Sequence, residues 1–170
     1  TSSRAKTANS SSANDGYAAG GAPTFSSGIS NINIFRFPFS SPFTNATDIG
    51  GLTGASDRGD GGQSSTEGYV LSVGQPGSPS TNLSRTNRFP FASPFTTATL
   101  AGSLNERRAD LAVSSGEDEL LHSGGQKEDG NNNLNTLTNE IWRMDFASLS
   151  PRANIGDLTI SRRDHAGTEG

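Results

Sequence analysis

Large apolar side chains along this chain are sparse and bunched, and they follow no regular period over most of its length. The densest bunches are Ile32-Asn-Ile-Phe-Arg-Phe-Pro-Phe39 and Arg88-Phe-Pro-Phe91, with Glu67-Gly-Tyr-Val-Leu-Ser-Val73 between them. Prolines at 38 and 42 remove amide donors and push their predecessors toward β or polyproline geometry, so the first bunch reads as extended, with Phe37 and Phe39 on one face. Glu67–Val73, ending before Gln75-Pro-Gly77, predicts a short strand over 68–73. Two stretches carry helical signals. Ser103-Leu-Asn-Glu106 has capping-box form and predicts a helix over 103–113 with Leu104, Leu111 and Ala112 near one side. Leu134, Leu137, Ile141 and Met144 recur at helical spacing and predict a second over 134–149, closed by Pro151.

The apolar bunches belong to a repeat. Arg36-Phe-Pro-Phe-Ser-Ser-Pro-Phe-Thr-Asn-Ala-Thr47 returns fifty-two residues later as Arg88-Phe-Pro-Phe-Ala-Ser-Pro-Phe-Thr-Thr-Ala-Thr99, with ten of twelve positions identical. Both cassettes lead to Gly-x-Leu (Gly50 to Leu52, Gly102 to Leu104) and then Arg-x-Asp (Arg58 to Asp60, Arg108 to Asp110). A degenerate third copy starts at Ile141-Trp-Arg-Met-Asp-Phe146, continues through Ile155-Gly-Asp-Leu-Thr159 and ends at Arg162-Arg-Asp164. The chain therefore divides into a flexible tail (1–31), repeat unit one (34–60), a spacer (61–85), repeat unit two (86–110), an acidic and Asn-rich spacer (111–133), repeat unit three (141–164) and a short tail (165–170).

Composition changes the picture from a domain to a thread. Leu, Ile, Val and Phe together fall below the roughly one-fifth at which a packed core becomes doubtful. Ser, Thr, Asn and Gly supply nearly half the residues, too little apolar area to offset the entropy of ordering the backbone. The expected fold class is mostly irregular and extended, intrinsically disordered alone and ordered on a partner, with no globular core. With a net charge of −4 and both signs interspersed, there is no basic stripe for nucleic acid. No apolar run approaches a membrane span. The absence of cysteine removes disulfides, thiol catalysis and thiolate metal sites.

Candidate chemistry is thin. His122 and His165 lie in polar contexts and read as solvated, and Glu117-Asp118-Glu119 reads as a charged spacer. Arg58-Gly-Asp60 and the sequons at Asn45 and Asn82 are short motifs expected by chance in such a composition. No catalytic constellation, cofactor site or metal site is expected, and the chain reads as a non-enzyme. Aromatics and arginines concentrate energy at interfaces, so the partner-binding residues are taken to be Phe35, Arg36, Phe37, Phe39, Pro42 and Phe43, then Arg88, Phe89, Phe91, Pro94 and Phe95, and in the third copy Trp142, Arg143 and Phe146.

Evenly spaced cassettes imply evenly spaced sites, bound with avidity. The expected partner is a set of repeated copies of a larger protein in a ring, rod or lattice, tied together by a non-catalytic multivalent linker. In organisation, the units beginning at Arg36, Arg88 and Arg143 with their spacers resemble the repeat linker proteins of photosynthetic assemblies, phycobilisome or Rubisco linkers. That resemblance, with the Ser-rich, acid-poor start, implies a plastid location. The alternative is a minor capsid, cement or secreted glycosylated structural protein, in a virion or outside the cell.

Overall fold

A computed structural model describes residues 7–22, 31–42, 44–73, 85–104, 106–129, 134–149 and 153–167. Among them the regular structure is entirely β. The first unit is an antiparallel meander of β1 (Ala8–Ser11), β2 (Asp15–Ala19), β3 (Asn31–Pro38) and the first part of β4 (Thr47–Gln63). Strand β4 pairs with β3 as far as Ser56 and, from Asp57, with β5 (Glu67–Val73), so it closes one unit and opens the next. The second unit continues through β6 (Arg85–Pro90) and β7 (Thr99–Ser103). After β8 (Arg108–Ala109), the third is built from β9 (Ala112–Ser115) and β10 (Glu119–Ser123). It then passes through β11 (Gln126–Glu128) and β12 (Leu134–Leu137) before β13 (Glu140–Asp145) and β14 (Asn154–Asp157) complete it. Strands β8, β11 and β12 form a separate small sheet beside that unit.

The fifty-two-residue step is thus the length of one four-stranded unit, the geometry of successive β-propeller blades. The cassettes are the third strand of each unit and the turn after it, and the stretches read as spacers carry the first two strands. Each inner strand lies beside the next. Ser11 bonds to Gln63 Oε1, and the Gln63 amide donates to Ser115 Oγ at 2.8 Å; both bonds join residues one repeat apart. The same backbone feature recurs at Arg58, Asp110 and Asp164, which have φ of 54°, 52° and 53°. The Asp110 amide donates to the Arg58 carbonyl at 3.0 Å, and the Asp164 amide to that of Asp110 at 3.1 Å.

Low apolar content suffices because the core lies between units, where aromatic rings stack on small residues. Tyr17 stacks on Phe91 with ring centroids 4.7 Å apart, and one repeat later Tyr69 stacks on Phe146 at 5.0 Å. Around the first pair are Ala19, Ile34, Leu52, Val70 and Phe89; around the second are Leu71, Leu104, Val113, Leu120 and Met144. Glycines let the sheets close: a side chain at Gly62 would collide with Leu120 and Val113, and one at Gly68 with the Phe89 ring. A fold assembled from stacked units needs no single thick core, which is why the composition argument for disorder fails. The chain has a globular core, and the expectation of a disordered linker is corrected.

Both expected helices are strands. Around 103–113 the chain runs from the end of β7 through β8 to β9, and Leu104, just past β7, and Leu111, between β8 and β9, reach one core from separate connections, not one helix face. Over 134–149 it forms β12, β13 and a turn. Met144 is buried between exposed Arg143 and Asp145, a period of two that the wider leucine spacing masked. Strand β5 spans Glu67–Val73, where a short strand was expected. The tail 1–31 contains β1 and β2; Phe25 and Ile29 lie outside the described residues, as do the Asn131–Asn133 run and the Asn82 sequon.

Candidate functional site

Each leading arginine of the repeat pairs with an acid on the neighbouring strand. Arg36 meets Asp15 at 3.0 Å, Arg88 meets Glu67 at 3.5 Å and Arg143 meets Glu119 at 3.5 Å. These ion pairs staple the second strand of each unit to the third, so the arginines act within the sheet. Arg36 also lies over the Phe95 ring at 5.3 Å, reaching into the second unit's cassette. Beneath the stack the Tyr69 hydroxyl donates to Glu67 at 3.0 Å, and burial with that carboxylate pushes its pKa up to about 12.

The cassette phenylalanines divide sharply. Phe89 is 1% exposed and Phe91 is half-buried on Tyr17, whereas their equivalents Phe37 and Phe39 are 39% and 50% exposed and touch each other edge to face. In the third unit the same two places hold Met144, fully buried, and Phe146. Phe35 and Phe95 are half-buried, Pro42 and Pro94 exposed, and Phe43 lies outside the described residues. The cis bonds Ser41–Pro42 and Ser93–Pro94 give both turns the same backbone. Trp142 is half-buried, stacked on His122 at 6.5 Å and donating to Glu140 at 3.1 Å.

A second cluster, not anticipated as a site, lies where the inner strands meet. A cleft of about 680 Å³ is lined by Asn9, Arg58, Asp60, Asp110, Asp164 and His165, among others. Arg58 Nε donates to Asp110 at 2.9 and 3.1 Å, and its terminal nitrogen also reaches Asp110 and Gln126. The Arg58-Gly-Asp60 tripeptide is therefore part of a strand, with its arginine tied to the third unit. Asp60 accepts the Gly61 and Val113 amides at 2.8 Å each, and burial raises its pKa above the ordinary carboxylate value despite these bonds. His165 is half-buried, with Nε2 3.1 Å from Ser123 Oγ. Burial, and secondarily Arg162, lower its pKa. Neither histidine is solvated as the sequence suggested, since His122 is buried outright.

The signal for this cluster was the strict repeat step. Matching Arg58 with Arg108 by motif placed the two fifty residues apart; the structural equivalents are Arg58 and Asp110, fifty-two apart and ion-paired. Arg108 belongs instead to the inserted sheet. Asp60→Asn is expected to lower stability by about 1–3 kcal/mol, because an amide offers one acceptor where two backbone donors need one each. Urea denaturation checks this, and an unchanged midpoint would show that the Val113 bond contributes nothing.

No family model matches the chain, and none of the curated proteins does. Among solved structures, that of YjhT superposes with a TM-score of 0.68 at 13% identity, over 92% of this chain and 53% of that one. This likeness shows the fold alone, and the chain spans about half the length of that neighbour.

Proposed function

We propose that this chain is a non-catalytic scaffold segment whose first unit docks a further four-stranded unit of the same design. The observation that carries the reading is the contrast at one repeat position, 1% exposed at Phe89 and 39% at Phe37. Tyrosines cover the equivalent face of units two and three; among the described residues no tyrosine covers the face bearing Phe37 and Phe39. Gly16 lies directly under both rings, as Gly68 lies under Phe89, so the surface has the shape that Tyr17 and Tyr69 meet at the two internal junctions. This keeps the cassette as an interaction element and limits the interaction to the cassette whose rings are uncovered. The partner's stated chemistry is a sheet face carrying an aromatic or leucine at the place of Tyr17, flanked by small or aliphatic residues. At the opposite end, the third unit offers Leu121 and Ile141, half-buried, at the places of Tyr17 and Ile34.

The charge pattern supports a scaffold over an enzyme. Asp15, Glu67 and Glu119 hold arginines across strands, and Asp60 holds backbone amides between units. Sedimentation of the 170-residue chain should show concentration-dependent association that Phe37→Ser with Phe39→Ser abolishes while the variant still unfolds cooperatively, with only a small loss of monomer stability. A chain that stays monomeric at every concentration, or a double variant that still associates, would overturn the reading.

A further inference from the structure

We propose that residues 162–167 form a strap over the inner edge of the third unit that acid releases, with His165 as its latch. Strand β9 ends its sheet and, among the described residues, pairs with β10 alone, so its other edge needs cover. The strap supplies it. The Asp164 amide donates to the Asp110 carbonyl at 3.1 Å, and the Gly125 amide donates to the Arg162 carbonyl at 2.8 Å. Gly167 lies so close to β9 that a side chain there would strike the Val113 carbonyl. Few side chains hold the strap down. Ser161, Arg162, Arg163, Asp164 and Ala166 are exposed, and His165 is the one side chain between 161 and 166 that is half-buried.

The place under the strap suits an uncharged imidazole. His165 Nε2 lies 3.1 Å from Ser123 Oγ, and Nδ1 is buried without a hydrogen-bond partner among the described residues. An imidazolium donates from both nitrogens; Ser123 takes the first, and the second N–H is stranded away from water together with the charge. Burial and Arg162 therefore lower the pKa of the ring, while Asp60 and Asp164 oppose them. The other charges here are Arg58 on β4 and Asp110 ahead of β9, which pair with each other. Asn9, Ser123 and Gly124 bring none. Once the strap lifts, the ring meets water and regains the ordinary value of about 6.5. The lifted strap thus binds a proton that the docked one refuses, so docking is at full strength above about pH 6.5 and weakens as pH falls toward the docked value. Asp60 carries the opposite sign: burial raises its pKa, so proton uptake there favours the folded form, and the test must separate the two groups.

Two neighbouring amides test this in the full chain by hydrogen exchange followed by NMR. Gly125 donates to the strap's Arg162 carbonyl, whereas Gly124 donates to the Glu140 carbonyl within the third unit. From about pH 7.5 to about 5, protection at Gly125 and Asp164, corrected for intrinsic exchange, should fall by up to about tenfold per pH unit, with Gly124 and Leu120 unchanged. His165→Phe leaves a ring in place that takes up no proton, and it should abolish this pH dependence. In the unsubstituted chain the His165 ring, followed by its carbon shifts, should titrate below about 6.5. Constant protection of Gly125 relative to Gly124, the same loss in His165→Phe, an equal loss at Leu120, or a ring that titrates at or above about 6.5 would each overturn the proposal. The ring titration needs no variant, so it decides even where the phenylalanine chain fails to fold. Because association through Phe37 is read by sedimentation, that proposal and this one fail independently.

Discussion

Phe89→Ala is expected to destabilise the chain by about 3–5 kcal/mol, the range for truncating a fully buried phenylalanine. Phe37→Ala, the same substitution at the equivalent repeat position, should cost about 1 kcal/mol or less because a large part of that ring is already in water. The difference follows from position in the stack, since the two side chains share sequence context and strand geometry. Phe89 lies 5.5 Å from Tyr17, belongs to the core between units one and two, and covers Gly68. Removing it leaves a void bounded by two sheets that cannot both relax. Urea denaturation of the two single variants checks this. Equal losses would mean that Phe37 is buried in solution, and a small loss at both would mean that the units do not pack as described.

How legible was this in the sequence? The repeat was, because cassettes of ten identities in twelve survive any composition. Its meaning was not. A cassette rich in phenylalanine and proline between Gly- and Ser-rich stretches looks like a sticky motif on a thread when each unit is weighed alone. The partner of Phe89 and Phe91 is Tyr17, seventy-two and seventy-four residues earlier, and that of Phe146 is Tyr69. No local window contains both halves. Yet Asp15-Gly-Tyr17 and Glu67-Gly-Tyr69 repeat at the same fifty-two-residue step, and extending the comparison upstream of the cassettes would have shown that the spacers repeat too. A spacer that repeats is structure.

The inner-strand site was hidden for a related reason. Asp60, Asp110 and Asp164 follow different neighbours, and a motif search that fixed on Arg-x-Asp joined Arg58 to Arg108 when the fold joins Arg58 to Asp110. Arg58 and Asp110 attract across the junction because their charges are opposite at equivalent places, and a repeat that keeps the place while changing the charge defeats a search for identity. The two helices failed on period. Leu134, Leu137 and Ile141 belong to two different strands in two sheets, and their helical spacing is a coincidence of where the chain passes from one sheet to the other.

Glu106→Gln combined with Glu140→Gln should cost about 3–5 kcal/mol, the loss expected when a buried charge is stripped of its partners. Arg108 is 1% exposed, and it reaches Glu106 and Glu140 together. It also meets the Gly124 carbonyl at 3.4 Å and the face of Trp142, 5.7 Å from the guanidinium. Burial lowers the Arg108 pKa, with Glu106 opposing; the guanidinium stays charged in the interior, so without these carboxylates its charge is uncompensated. Either single substitution should cost less than half of the pair, because the other carboxylate still compensates, and Glu140 is further shared with Lys127 at 3.4 Å. Replacing all three groups, Arg108→Met with both glutamines, should recover much of the loss, since no charge is then left in the interior. Urea denaturation of the singles, the double and the triple forms a closed cycle. If the double variant lost no more than the sum of two small single effects, the network would contribute little, and the inserted sheet of β8, β11 and β12 would be held beside the third unit by its other contacts.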